Sequence, residues 1–477
     1  MTTILAIDQG TSGTKAIVVD AEQGTLAIAE ETLRPVYLPG GGVEQDPQEL
    51  LASVLESGRR AVRKAGRPID CVALANQGET VLAWDPATGN PLSAAIVWQD
   101  RRADDVCREL TAHADDIARR TGLVLDPYFS APKMAWLRRN MTRDGVVTTT
   151  DTWLVHHLTG EFVTDAATAS RSLLLDLDSG AWDPGLVDLF GLGDEELPRI
   201  VACDEIVGTT QAFGAAVPVA GLIVDQQAAL VAESCLEEGT AKCTYGTGAF
   251  LLANTGLNAV RSSAGLTTSI AWRAEGRTPY CIDGQVYTVA SAVRWLQDLG
   301  LIRAATDLDT LAAADAQGAL CVPSFAGLAA PWWAPDATAS FTGLSLATHR
   351  EHLVLALLQG IAAQVTALAD LVGKDLGRPL TRLRADGGLT NSAVLMQAQA
   401  DIAQLPVDIY PSAHATPLGA AALARCALEP ALGLKEAVGT WEPTTVYEPR
   451  WSAHRAEEFR TTWAQAATAC AGKGVQP

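Results

Sequence analysis

The sequence predicts an α/β protein built as two related domains around a central cleft. Three observations lead there. At 477 residues the chain exceeds what one core organises, since single cores stop growing at roughly 250–300 residues. A strand, a Gly/Thr turn and a second strand occur twice, as IDQGTSGTKAIVV from Ile7 and as CTYGTGAFLLA from Cys243. Short apolar runs also alternate with segments of helical apolar spacing, the pattern of sheets covered by helices.

The first hairpin organises the rest. Apolar runs Ile4–Ile7 and Ala16–Val19 flank a turn of Gly10, Thr11, Ser12, Gly13, Thr14 and Lys15. Glycine lets a ligand approach the backbone, and successive N–H groups, hydroxyls and a lysine make a concavity for anions. Asp8 at its mouth would repel a bare phosphate but suits a magnesium ion lying between them. This stretch alone is equally consistent with an ordinary hairpin carrying a polar turn.

Next, 22–38 reads as a further strand pair, and Pro39 with Gly40–Gly42 as a loop. Asp46 and Pro47 supply the N-cap and first position of a helix with apolar Leu50, Leu51, Val54 and Leu55. Cys71–Ala75 is a strand that delivers Asn76, Gln77, Gly78 and Glu79 at its carboxyl end, where α/β sheets bind ligands. Thr80–Trp84 is another strand and Pro86–Pro91 a turn. Ile96–Trp98 leads to a charged cluster, Gln99–Arg102, and a helix over 103–120. Asp126–Ser130 is a loop bearing Tyr128 and Phe129, and Asp151–Leu158 is a helix closed by Gly160. Val217–Val224 is a buried strand ending at Asp225, Gln226 and Gln227, followed by a helix over 228–235. Asp225 there is placed either to cap a helix or to act as a general base.

The opening theme returns over 241–256 with Thr247 and Gly248 in its turn, so the boundary falls near Ala232, giving domains 1–232 and 233–477. Each would offer a phosphate-binding turn to a shared cleft. Helices are expected over 287–299 and 353–372, with a Pro/Trp-rich loop over 325–336 between them. Leu383–Asp386 is a strand leading to Gly387, Gly388 and Asn391, a glycine turn that opens a helix and suits a nucleotide. Thr416 and Pro417 cap a helix over 418–426, and the tail from Trp451 is an amphipathic helix. His349 and His352 read as surface residues rather than metal ligands.

A net charge of −20 argues against a general nucleic-acid or anionic-membrane binder. Nine scattered cysteines without a CxxC pair point to reduced thiols and a cytoplasmic location. No basic or apolar leader precedes the first strand, and the longest apolar run, 213–224, is too short to span a bilayer. Walker-A, GxGxxG, HExxH, GxSxG and zinc-type spacings are all missing from the sequence.

Several segments together resemble the FGGY carbohydrate kinases, and within them the glycerol kinases. They are DQGT (8–11), NQGETVLAWDPATGNPL with AIVWQDRR (76–102), DPYFS (126–130) and DTWLVHHLTG (151–160), then DQQAAL (225–230), TYGTGAFLLANTG (244–256) and DGGLTNSAVLMQAQADI (386–402). The resemblance implies the duplicated actin/hexokinase/Hsp70-like, ribonuclease H-like ATPase fold. It implies transfer of a phosphoryl group from ATP, with Mg2+, to a terminal hydroxyl of glycerol or a related small polyol. Asp225 would be the general base and Asp8 would hold magnesium through water. Thr11, Ser12, Thr14 and Lys15 would form the first phosphate turn, Thr247 and Gly248 the second, and Gly387, Gly388 and Asn391 the adenosine end. Gln77, Gly78, Glu79, Tyr128, Asp225 and Gln226 would surround the acceptor, with Trp98 and Phe250 as apolar walls. Relatives form dimers or tetramers, so a homodimer or homotetramer is expected.

Three departures stand out. Gly78 replaces the arginine of NQRE, a rigid multi-donor clamp on hydroxyls; either a water replaces the guanidinium, or a longer polyol or a ketose (erythritol, xylitol, xylulose or ribulose) fills the resulting gap. Ala290 and Arg294 stand where Gly and Gln are usual near the nucleotide. The asparagine after the DGG turn is displaced by one. A catalytically silent nucleotide- or sugar-binding protein on the same fold is the third reading; Asp8, Asp225 and Thr247 weigh against it.

Overall fold

The computed structural model describes residues 2–472. Its frame is two mixed sheets of like topology. In the first the strand order is 208–210, 217–224, 71–76, 3–10, 13–20, 24–32; in the second it is 267–270, 280–286, 249–256, 241–245, 383–386, 407–409, 446–447. Each centres on an antiparallel hairpin whose first strand also pairs in parallel with a later one, 3–10 with 71–76 and 241–245 with 383–386. The repeated Gly/Thr turns therefore mark a repeated topology. Leu5, Ala6 and Ile7 are sealed from solvent, as strands covered on both faces must be.

The helix Pro47–Ala65 starts as its sequence requires. Asp46 accepts the N–H of Gln48 at 2.8 Å, and Gly66, at φ 65°, ends the helix in the left-handed region. Other segments differ from expectation. The 22–38 stretch is not one pair: Gly24–Thr32 extends the first sheet, while Val36–Leu38 pairs with Gly42–Gln45 in a separate sheet. Pro35 cannot donate to a ladder and lies at the break. The 103–120 helix is interrupted by a tight turn over Thr111–His113. There the Thr111 hydroxyl bonds the carbonyls of Cys107 and Arg108 and competes with the helix. The helix expected over 228–235 starts earlier, as Asp225–Ala232. His352 is buried, not a surface residue, and its Nδ1 accepts the N–H of His349 at 2.9 Å.

The halves share a core. Helix Ala415–Leu428 lies in sequence between two strands of the second sheet, 407–409 and 446–447, but packs on the first, against Asp225–Ala232 and strand Val217–Val224. Glycines make that approach possible: a Cβ on Gly419 would overlap the Ala228 carbonyl, and one on Gly221 the Ala420 carbonyl. Helix Arg350–Asp375 is long and apolar enough to cross a bilayer, yet it is the buried spine of the second half. All nine cysteines are free, eight of them buried.

Candidate active site

Three parallel strands of the first sheet end side by side, with Gln9 opposite Asn76 and Asn76 opposite Val224. That register brings Asp8, the Gln77–Gly78–Glu79 turn and Asp225 to one rim, at the carboxyl ends of the strands. Asp225 is the first residue of its helix. Its carboxylate accepts the N–H of Gln226 at 2.6 Å and caps nothing further along. Burial, then the charge of Glu79, lift its pKa to about 6, against the pull of the Gln226 N–H, Lys242 and Arg171. Asp8 is lifted to about 7 by burial and then by Asp225, with Lys15 opposing. The two carboxylates thus feel one another across a common crevice.

A hydroxyl network joins the first turn to the acceptor side. Thr11 Oγ1 donates to Gln77 Oε1 at 2.8 Å and accepts from Trp98 Nε1 at 2.9 Å. Gln45 donates to the Thr11 carbonyl at 2.7 Å and accepts from Gln77 at 2.8 Å. Lys15 pairs with Glu30 at 3.4 Å, Ser12 is exposed, and Thr14 is turned inward. The Thr14 hydroxyl lies 2.6 Å from that of Ser53 and is fully buried. Its side chain is therefore not among the phosphate donors of the turn, because strand alternation points it at helix Pro47–Ala65.

An aromatic cluster beside this rim draws on both halves. The Trp98 ring meets Tyr128 edge-on at 5.5 Å, and Phe250 of the second half at 6.3 Å. Glu79 is no solvated loop acid: it is buried at φ 59° and paired with Arg171. A Cβ on Gly78 would sit 2.9 Å from Val224 Cγ2, so a side chain there requires the valine to shift. The Oε1 of Gln226 is taken by Lys242 Nζ at 2.8 Å.

On the second half, Thr247 is exposed at the hairpin tip and a Cβ on Gly248 would sit 2.5 Å from the Val286 carbonyl. Gly387, at φ 96°, passes so close to Tyr245 that a Cβ would come within 2.5 Å of its carbonyl; Gly388 faces open space. Gly387 is demanded by backbone geometry, while Gly388 leaves its face free for a flat ligand. Asn391 donates to the Gly388 carbonyl at 3.0 Å, closing its own turn. Ala290 starts helix Ala290–Asp298 and Arg294 is exposed on it.

Four residues of this region escaped the sequence reading: Gln45, Lys133, Arg171 and Lys242. Lys133 Nζ, fully buried, donates to the carbonyls of Pro127, Tyr128 and Phe129 at 2.7, 2.5 and 2.6 Å. Burial depresses its pKa to about 7. Arg171 lies between Glu79 and Asp283, 3.0 Å from the latter. A usable signal existed for it: one arginine inside the apolar and hydroxyl run 166–175.

The rim also fits a magnesium ion. Two oxygen-donor carboxylates with depressed acidity signal a local deficit of positive charge, and no cage of three or more acidic, His or Cys ligands occurs among the described residues. Magnesium favours such settings, keeping waters and taking one or two carboxylates plus substrate phosphates.

Comparison with known proteins agrees with this geometry. Residues 3–232 match the N-terminal domain, and 241–428 the C-terminal domain, of the FGGY family of carbohydrate kinases. A protein named glycerol kinase from Alkalilimnicola ehrlichii is 42% identical, with 99% of each chain covered. Another so named, from Aromatoleum aromaticum, is 40% identical, with 98% of each covered. Among solved structures, glycerol kinase from Plasmodium falciparum with ADP is 32% identical at a TM-score of 0.93, covering 100% of this chain and 99% of that one. Xylulose kinase from Lactobacillus acidophilus shares the fold at 20% identity and a TM-score of 0.90, over 99% of each chain.

Proposed function

The chain belongs to the FGGY family of carbohydrate kinases, and from that premise we propose that it transfers the γ-phosphoryl group of ATP to a terminal hydroxyl of glycerol, releasing ADP and glycerol phosphate. Relatives named glycerol kinase, 42% and 40% identical over nearly the whole chain, support the acceptor. The observation that carries the chemistry is Asp225 at the shared rim, with Asp8 on one side and the Glu79, Tyr128 and Trp98 pocket on the other.

In this reading Glu79 and Tyr128 orient the hydroxyls while Trp98 and Phe250 pack the carbon chain. Asp225 Oδ takes the proton of the attacking hydroxyl, whose oxygen then bonds phosphorus as the bond to the ADP oxygen breaks. A pKa of about 6 leaves that carboxylate ionised at neutral pH yet basic enough to accept. Phosphoryl transfer has a loose transition state with charge on the equatorial oxygens, so positioning and neutralisation dominate. Backbone N–H groups of the two turns, the Thr11 and Thr247 hydroxyls and Lys15 would meet that charge, with Gly387 and Gly388 against the adenosine. Asp8 would hold magnesium through water, and the metal supplies neutralisation of the phosphate oxygens. The first domain would thus carry the acceptor, the second the nucleotide, and closure would exclude water. The cytoplasm is the setting that supplies both ATP and reduced thiols.

The longer-acceptor reading rested on a hole at Gly78. Val224 Cγ2 crowds the Cβ position there, and the full-length relatives named glycerol kinase favour glycerol as the acceptor. A coupled ADP-release assay with glycerol, erythritol, xylitol, xylulose and ribulose tests the assignment. Glycerol should give the highest kcat/KM; a preference for xylulose, or no release with any of them, would refute it.

A further inference from the structure

Beside the reacting pair lies a buried charge cluster of Glu79, Arg171 and Asp283, only 4%, 6% and 3% exposed. Arg171 donates through Nε to Glu79 and through Nη1 to Asp283 at 3.0 Å. Glu79 and Arg171 belong to the first half. Asp283 lies on strand 280–286 of the second, two positions from Gln285, which pairs with Phe250. The ion pair therefore crosses between the halves beside the ring that walls the acceptor pocket from the far side.

Three charges out of water must satisfy one another, because an unpaired buried carboxylate takes up a proton. The groups facing this cluster are Lys133, Tyr128 and Asp225. Lys133 is spent on three carbonyls of its own loop, so Arg171 is the cation that neutralises Glu79. It also lies over the Tyr128 and Phe129 rings, with its central carbon 5.8 and 5.7 Å from their centroids. A cation held over aromatic rings is attracted by their π-electrons, which adds to the hold of the two carboxylates. Burial raises the pKa of Glu79 while Arg171 is the foremost influence holding it down, and the two carboxylates keep Arg171 charged against the same burial.

We propose that Arg171 is a positioning residue for the acceptor: it keeps Glu79 ionised and aimed at the hydroxyls, and it does so through a latch to Asp283 that ties acceptor binding to contact between the halves. The proposal rests on the kinase reading above. Gly78 contributes no donor, so the orientation of Glu79 depends on this one guanidinium.

The test is steady-state kinetics with glycerol and ATP varied separately. Arg171→Met should raise the glycerol KM about tenfold or more, the scale of one lost charged hydrogen bond, and leave the ATP KM within about twofold. Arg171→Lys should recover part of the loss. In a Glu79→Gln background Arg171→Met should add less than about twofold, because it acts through Glu79. Asp283→Asn, a milder change, should move the glycerol KM in the same direction if Arg171→Met does not fold. An unchanged glycerol KM, equal rises in both KM values, or undiminished damage in the Glu79→Gln background would overturn the proposal. A wild-type enzyme that phosphorylates no polyol would instead overturn the kinase reading.

Discussion

Val224 Cγ2 stands 2.9 Å from where a side chain on Gly78 would begin, so the residue before the reacting carboxylate and the missing arginine compete for one space. A β-branched valine cannot swing aside. Gly78→Arg alone should therefore push the 224–225 backbone and lower kcat at least about tenfold, as near-ångström misplacement does in other enzymes. Adding Val224→Gly should restore activity and raise the preference for glycerol over erythritol. Kinetics on both variants checks this; full activity in the single variant would refute the steric account.

Asp225→Asn keeps the shape of the site and removes the proton acceptor. The glycerol KM should change little while kcat falls about two orders of magnitude, the contribution of a positioned base. Rapid-quench measurement of phosphoryl transfer separates this from product release.

The acidity of Asp225 sets a pH dependence. With a pKa lifted to about 6 by burial and Glu79, the carboxylate is protonated and unable to accept below that value and ionised above it. At saturating magnesium, kcat/KM for glycerol should climb about tenfold per unit up to pH 6 and level off above pH 7. A profile already flat at pH 5 would contradict it.

Lys133→Met leaves the carbonyls of Pro127, Tyr128 and Phe129 without their shared donor. Unsatisfied buried carbonyls are costly, so stability should fall by about 3 kcal/mol. The glycerol KM should rise too, since Tyr128 sits on that loop. Urea unfolding and kinetics report the two effects.

Gly419→Val places a branched side chain against the Ala228 carbonyl on helix Asp225–Ala232. Overpacking of this degree should cost about 3 kcal/mol and lower the melting temperature. Because the strained helix begins at Asp225, kcat should fall as well.

What the sequence disclosed, and what it hid, follows from the range of each signal. The two Gly/Thr turns, the cap at Asp46 and the strand ends at Asp8 and Asp225 are local, set by neighbours in the chain. Thr14 was misassigned because its turn membership was legible but the strand alternation that faces it to Ser53 depends on a helix 39 residues away. Arg171 went unread because both its partners are distant, Glu79 by 92 residues and Asp283 by 112. Folding of the first half brings Glu79 to it, and packing of the two halves brings Asp283. Gly78 reads as a loss from local comparison, whereas its crowding by Val224, brought alongside by strand pairing, depends on the fold.

The glycine-lined seat of helix Ala415–Leu428 on the first sheet has a consequence for how the molecule can be divided. Its Cys71, Ala73, Ala220 and Ile223 side packs on Ala420, Ala421 and Leu423 in one continuous core. A fragment ending at residue 232 would bare that seam to water, and a fragment starting at 233 would carry a helix with no floor. Tethered by this seam, neither lobe is a self-standing unit, and the chain folds as one body rather than as a pair of beads on a string.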